Sequence, residues 1–234
     1  MSKKLYRVFF VCISLLGLTL EVHAVMGPLK VHAVCPRYFA DPDDHIVYLT
    51  GSHTWADFQE QGMEGSTPNF DFPAFLDFLV ENNQNFLRFW AWEHATWMPF
   101  LDKEKKVRNT PLCYPRTGPG DALDGQSKFD VNQFNPDYFN RLRERVFAAR
   151  EKGIYVSVML FQGLSVAQPK NEKIDSQKGN PWEGHPFNKK NNINGIDGDK
   201  DGNGNGSEIH TLIDPRITQL QENYVKQMIE TLNG

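Results

Sequence analysis

Residues 85–93 read NFLRFWAWE, and this stretch decides the predicted fold. Its continuous apolar and aromatic run predicts a buried β-strand. The stretch directly before it has apolar residues at helical spacing from Phe75 to Leu79, with Pro73 near the predicted helix start. A helix that leads at once into a buried strand is typical of an α/β fold.

The same alternation extends outward in both directions. A strand is predicted at 46–51, a helix from Asn135 to Lys152 with Gly153 as its C-cap, a strand at 154–161 and a helix at 215–232. This order predicts parallel strands with right-handed crossovers. The long insertions at 93–134 and 162–214 follow the carboxyl ends of strands, where α/β folds carry their sites. Short extended stretches at 30–34 and 37–40 predict an N-terminal β-hairpin.

Composition excludes several classes of protein. The chain has 234 residues, 40% of them hydrophobic and 12% aromatic, which favours a globular protein with a sizeable core over a disordered or coiled-coil chain. Lys and Arg number 25 against 29 Asp and Glu, a formal charge of -4. This balance gives no electrostatic reason to bind nucleic acid or an anionic membrane surface.

The amino terminus predicts export. Lys3, Lys4 and Arg7 precede an apolar run at 8–20, and Val22-His23-Ala24 offers the small residues of a cleavage site. We interpret residues 1–24 as a cleaved signal peptide, because the apolar run is shorter than the roughly 20 residues of a membrane-spanning helix. The protein is then expected to be secreted or periplasmic, with no stable membrane insertion after cleavage.

Two cysteines remain after removal of the signal. Cys35 and Cys113 form a disulfide in one interpretation, since export leads to an oxidising compartment. Two free, buried thiols are the alternative, because spacing alone cannot place their Cα atoms.

Three motifs carry a family resemblance: YLTGSHTW at 48–55, NFLRFWAWE at 85–93, and HPFN at 185–188 followed by NNING at 191–195. With them the chain resembles secreted bacterial cellulase-like glycoside hydrolases with a (β/α)₈ barrel. The resemblance implies that residues 25–234 are the N-terminal portion of a TIM-type barrel, with about three strand–helix units preceded by the hairpin. A complete barrel typically needs about 250 residues, so we expect a truncated barrel domain.

The resemblance also implies a carbohydrate substrate. In that family the acid/base Glu follows an Asn at the end of the fourth barrel strand and the nucleophile Glu ends the seventh, and neither position exists in this chain. Glu93 is the strand-end carboxylate that remains as a catalytic candidate. It would bind a substrate hydroxyl or tune a neighbouring group, or else form an ion pair with Arg88 that braces the mouth of the barrel.

Aromatic and imidazole side chains near the strand ends suit a sugar, which has an apolar C–H face and a polar rim. The predicted substrate-binding set comprises His53, Trp55, Arg88, Trp92, Glu93, Trp97, Trp182 and His185. Trp90 and Trp92 share one face of a strand, so either could instead fill the core. For Trp55, Trp97 and Trp182, all in predicted loops, the site interpretation is favoured.

The segment at 197–208, DGDKDGNGNGSE, matches the spacing of a calcium-binding loop. Its predicted ligands are Asp197, Asp199, Asp201, Asn203, Asn205 and Glu208, with Gly202 at the turn position. Because no helix clearly enters the loop, it resembles an isolated structural Ca²⁺ site rather than a sensor module. A flexible turn with a solvated acidic face is the alternative.

The sequence therefore leaves three hypotheses about function. The leading hypothesis is a secreted glycoside hydrolase whose chain, as given, lacks the catalytic carboxylate pair. A non-catalytic carbohydrate-binding protein would need the aromatic residues alone, and a calcium-dependent interaction protein would need only the segment at 194–208.

Overall fold

A computed structural model describes residues 27–65, 69–166 and 178–233, so the predicted signal at 1–24 lies outside the described residues. The helices are α1 (Phe72–Glu81), α2 (Pro136–Glu151) and α3 (Pro215–Asn233). The strands are β1 (Lys30–Val31), β2 (Phe39–Ala40), β3 (Ile46–Val47), β4 (Gly51–Ser52), β5 (Glu60–Met63), β6 (Phe86–Trp90), β7 (Val107–Thr110), β8 (Arg116–Asp121), β9 (Ser127–Phe129) and β10 (Tyr155–Met159).

The three predicted helices form where local signals place them. The Asp71 carboxylate accepts a hydrogen bond from the Ala74 N–H at 3.0 Å and caps α1. The Asn135 side chain accepts from the Asp137 N–H at 3.1 Å and caps α2. Gly153 ends the turn after α2 at φ +72°, a conformation that favours glycine. These helix predictions are confirmed to within one or two residues.

A parallel three-stranded sheet in the order β4–β6–β10 positions the site. Phe86 pairs with Gly51 on one side and with Tyr155 on the other, and the pairing with β10 continues to Trp90 opposite Met159. The parallel pairing expected of the strand–helix alternation is therefore present. Leu87 and Phe89 of β6 are fully buried among side chains of α1, α2 and α3, which form the main hydrophobic core.

The prediction of a partial (β/α)₈ barrel is wrong. The described strands form two three-stranded and two two-stranded sheets, and none of them closes into a barrel. The segment at 93–134, expected as a loop, contributes an antiparallel β8–β9 pair and the strand β7, which pairs antiparallel with β5. Cross-strand pairing and a second hydrophobic cluster around Phe129 and Trp182 organise this segment, which strand–helix periodicity could not indicate.

The N-terminal prediction also needs correction. Instead of a hairpin followed by one buried strand at 46–51, residues 30–47 form a three-stranded antiparallel sheet and the chain joins the parallel sheet only at β4. Tyr48, between the two, is 74% exposed. The Asn85 side chain bridges the gap, because its Oδ1 accepts from the Thr50 N–H at 2.9 Å and its Nδ2 donates to the Tyr48 carbonyl at 3.1 Å.

Within the described ranges, no helix has the length and apolar character needed to cross a bilayer.

Candidate functional site

The carboxyl ends of β4, β6 and β10 lie along one edge of the parallel sheet, which we call the carboxyl edge. His53 follows β4 directly, Trp90 ends β6 with Glu93 three residues later, and Gln162 stands three residues beyond β10. Parallel strands bring their carboxyl ends to the same side, so residues far apart in sequence meet here.

Glu93 is the carboxylate of this edge, with 14% of its side chain exposed. Its Oε2 accepts a hydrogen bond from the backbone N–H of Gln162 at 2.9 Å. Its Oε1 lies 3.8 Å from Nε2 of His185, beyond hydrogen-bond distance. The carboxylate is therefore held on one oxygen, and the second oxygen faces an imidazole.

His185 faces Glu93 as a neutral ring. Its Nδ1 accepts the backbone N–H of Phe187 at 3.0 Å, so the neutral ring carries its proton on Nε2, toward Glu93. Burial lowers the pKa of His185, and the Glu93 charge opposes this effect only in part. The predicted site residues Glu93 and His185 are thus brought together.

A small, mostly apolar cavity opens beside Glu93. Its walls include Cys113, Tyr114, Tyr138 and Tyr224, with Glu93 as the sole carboxylate among its lining residues. The hydroxyls of Tyr138 and Tyr224 lie 2.8 Å apart. Burial raises the pKa of both tyrosines well above 10, so they are neutral hydrogen-bonding groups.

Aromatic side chains also follow the ends of β4 and β6. The His53 ring stacks on Trp90 at 6.0 Å between centroids with an interplanar angle of 16°. Trp55 is 46% exposed and contacts Phe100, which is 49% exposed. His53 is exposed as well. Sequence analysis placed His53 and Trp55 here but missed Phe100, since a single Phe in a long insertion carries no signal.

Three of the predicted substrate-binding tryptophans are buried instead. Trp92 and Trp182 are each 2% exposed and Trp97 is 6% exposed. The indole N–H of Trp92 donates to the Trp55 carbonyl at 2.7 Å, and that of Trp97 donates to the Lys103 carbonyl at 3.0 Å. The rings of Trp97 and Trp182 pack in the interior, whereas Trp55, the third loop tryptophan, is exposed.

Arg88 does not pair with Glu93. It lies on the exposed face of β6, and its Nε donates to the Ser157 hydroxyl of β10 at 3.4 Å. The ion pair considered as the structural alternative for Glu93 is therefore not formed, which leaves the carboxylate to His185 and Gln162.

A polar chain that sequence analysis missed lies behind the edge. Gln162 is 5% exposed, and its side chain is hydrogen-bonded to both Trp90 and Ser165. The Ser165 hydroxyl in turn lies 2.7 Å from Nδ1 of His94. Burial lowers the pKa of His94 to about 3, which keeps the ring neutral at ordinary pH. The one signal available in the sequence was the position of Gln162 just after a strand end.

The predicted calcium loop brings three of its six ligand candidates together. Carboxylate oxygens of Asp199, Asp201 and Glu208 lie within 4.8 Å of one another. Asp197 instead lies 3.4 Å from the Lys189 ammonium, and Asn203 and Asn205 use their side-chain oxygens to accept backbone N–H groups two residues ahead.

The two cysteines of the predicted disulfide are free thiols in the structure. The free state is the alternative left open by the spacing, although both residues are only partly buried. Burial raises the pKa of the Cys113 thiol, and the negative charge of Glu93 raises it further.

Comparisons with known proteins assign no relationship: no family model, no curated protein and no solved structure matches the chain.

Proposed function

We propose that the protein acts on carbohydrate as a secreted or periplasmic glycoside hydrolase, with the carboxyl edge as its sugar-binding site. The observation that carries this proposal is that a partly exposed carboxylate, Glu93, and the Trp90 ring on which His53 stacks are both hydrogen-bonded to Gln162 at one edge of a parallel sheet. An aromatic plate stacks on the C–H face of a sugar, and a carboxylate accepts hydrogen bonds from its hydroxyls.

Sugar binding is the part of this function that the described residues support most directly. Hydrolysis with retention or inversion needs two carboxyl groups flanking one bond, about 5 to 9.5 Å apart. Among the residues lining the cavity, Glu93 is the only one with a carboxyl group. A non-catalytic carbohydrate-binding protein is therefore the second candidate, and it rests on the same aromatic side chains.

The test is affinity electrophoresis and reducing-sugar release with a panel of plant and bacterial polysaccharides. We expect Trp55→Ala to weaken retardation by about tenfold or more in affinity, since a stacked aromatic ring contributes a large share of such contacts. Phe78→Ala is the matched control, because Phe78 is a similarly exposed aromatic residue, 50%, on α1. It should bind like the wild type.

Glu93→Gln separates the two candidates. The amide keeps an acceptor for the Gln162 N–H but loses the charge. If the wild type releases sugar and Glu93→Gln releases it about 100-fold more slowly, the result supports a hydrolase in which this carboxylate takes part in proton transfer. Binding without release supports the non-catalytic candidate, and a wild type that binds none of the polysaccharides overturns the proposal.

We also propose that the loop at 197–208 binds Ca²⁺. Calcium–oxygen distances of 2.3–2.6 Å place two oxygens of one ion at most about 5 Å apart, and the carboxylates of Asp199, Asp201 and Glu208 meet this limit. Asp199 Oδ1 and Glu208 Oε2 are buried and lack hydrogen-bond partners, which is costly for a carboxylate unless a cation compensates it.

Isothermal titration calorimetry with CaCl₂ tests this site. Asp199→Asn should abolish the heat of binding seen with the wild type, whereas Asp121→Asn, an exposed position on β8, should retain it. A wild type without measurable heat of binding in millimolar Ca²⁺ would rule the site out.

A further inference from the structure

Gln162 makes hydrogen bonds to both kinds of group at the proposed sugar-binding edge. Its backbone N–H donates to Glu93 Oε2 at 2.9 Å. Its side-chain Oε1 accepts from the indole N–H of Trp90 at 3.3 Å. The residue is 5% exposed, so these bonds are shielded from competing water.

The direction of the hydrogen bonds behind Trp90 follows from elementary chemistry. An indole N–H can only donate, so the amide oxygen of Gln162 must face Trp90 and its NH₂ group must face Ser165, 2.7 Å away. The Ser165 hydroxyl thus accepts from Gln162. Its own proton then goes to Nδ1 of His94, also 2.7 Å away, because the fully buried hydroxyl has no other acceptor among the described residues.

His94 terminates this chain as a neutral imidazole. With Nδ1 accepting from Ser165, the ring proton must be on Nε2, which is buried and has no hydrogen-bond partner among the described residues. The ring is fully buried and packs edge-on against Trp92 at 5.4 Å. The far end of the chain is therefore anchored in the interior, and the near end is the partly exposed Trp90 ring.

We propose that Gln162 is a positioning residue of the sugar-binding edge: its side chain fixes the Trp90 ring, and its backbone fixes the Glu93 carboxylate. This inference rests on the proposed function. The bond to its N–H restrains the Trp90 ring in the orientation in which His53 stacks on it, so less conformational entropy is lost when a sugar binds. The backbone bond to Glu93 does not depend on the identity of the side chain, so the two effects can be separated by substitution.

Gln162→Met is the test variant, because methionine has similar length but neither accepts strongly from Trp90 nor donates to Ser165. We expect its affinity for a polysaccharide that binds the wild type to fall about fivefold, the effect of losing one hydrogen bond of ordinary strength. The dependence of binding on pH should stay as in the wild type, because the bond from the backbone to Glu93 persists.

Gln59→Met is the matched control. Gln59 is 0% exposed, and its side chain makes three hydrogen bonds with backbone groups of Trp92 and Pro111. This variant should lose at least as much thermal stability as Gln162→Met while the Trp90 indole resonance keeps its position. Equal losses of affinity in the two variants would show a general effect of destabilisation and overturn the inference.

Nuclear magnetic resonance supplies readouts that need no sugar. In the ¹⁵N-labelled wild type, His94 should be the tautomer protonated at Nε2, and the Trp90 indole N–H resonance should shift in Gln162→Met. A His94 protonated at Nδ1, or an unmoved Trp90 resonance, overturns the inference. A wild type that binds no polysaccharide but shows both signatures refutes the proposed function and leaves the anchoring of Trp90 by Gln162 supported.

Discussion

Asp57 is a carboxylate that the fold buries completely. Its side chain is 0% exposed, and neither oxygen has a partner in good hydrogen-bond geometry. Burial raises the pKa of Asp57 to about 7, although backbone groups of Thr54 and Trp90 and the charge of Arg145 act in the opposite direction. Its ordinary pKa is 3.8, so its protonation differs between the folded and unfolded states over a wide range of pH.

Asp57 should make the protein less stable as the pH rises from about 4 to about 7. The group is protonated in both states below pH 4, but at higher pH the unfolded state releases the proton while the folded state retains it. The free energy of unfolding should fall by roughly 2 to 4 kcal/mol over this interval through this group. Asp57→Asn should remove that slope in thermal unfolding measured at several pH values.

The change in the free energy of unfolding with pH is the decisive quantity for Asp57. The amide introduced by Asp57→Asn can shift stability by a constant amount at every pH, and such a shift would say nothing about the pKa. Asp121→Asn, at an exposed position, should keep the pH dependence of the wild type. A parallel pair of curves for the wild type and Asp57→Asn would contradict the raised pKa.

At the scale of elements, the proposed calcium loop packs directly on a tryptophan. A Cβ atom added at Gly206 would lie 2.4 Å from the Trp182 ring, and one at Gly198 would lie 2.7 Å from the same ring. Trp182 in turn stacks on His185 with ring centroids 5.0 Å apart. The loop therefore packs on the ring that stacks on His185.

Gly206→Ala should destabilise the protein more than Gly195→Ala. Both glycines have positive φ, +60° and +66°, so both substitutions introduce backbone strain of about 1 kcal/mol. Open space surrounds a Cβ at position 195, whereas at 206 it would overlap the Trp182 ring. We expect an additional cost of roughly 1 to 3 kcal/mol for Gly206→Ala in urea unfolding. Equal losses of stability in the two variants would show that the loop is not tightly packed against Trp182.

At the scale of the whole molecule, the free thiols mean that no disulfide ties the N-terminal antiparallel sheet to the rest of the described chain. Cys35 lies in the connection between β1 and β2, and Cys113 lies between β7 and β8 beside Glu93. The segment that connects the sheet to β4 is held by the Asn85 hydrogen bonds to Tyr48 and Thr50.

The two thiols should differ in reactivity. Alkylation proceeds through the thiolate, and burial raises the pKa of Cys113, so iodoacetamide at pH 8 should modify Cys35 at least about tenfold faster. Peptide mapping before and after denaturation measures the two rates in the full chain. Dithiothreitol should leave the melting temperature unchanged. A disulfide-linked peptide containing Cys35 and Cys113 would contradict this prediction.

Features carried by neighbouring residues could be predicted from the sequence. Capping by Asp71 and Asn135 and the Gly153 turn depend on atoms two to four residues apart, so the helix positions follow from local chemistry. The alternation of strand and helix likewise predicted the parallel sheet. The position of Glu93 at a strand end could be predicted for the same reason.

Tertiary structure alone decided which polar and aromatic residues meet at the carboxyl edge. Gln162 reaches Glu93 and Trp90 across 69 and 72 residues of chain. The Trp182 ring is packed against Gly198 and Gly206 of a loop that follows it by 15 residues or more. The sequence also left open how many strands each sheet contains, because strands such as β5 and β7 pair although a helix and a strand lie between them in the chain. The sequence by itself determined the helices and the strand-end carboxylate, because their causes are local. Burial and long-range hydrogen bonds depend on how distant segments pack, so only the fold could assign Trp55 to the surface and Trp182 to the interior.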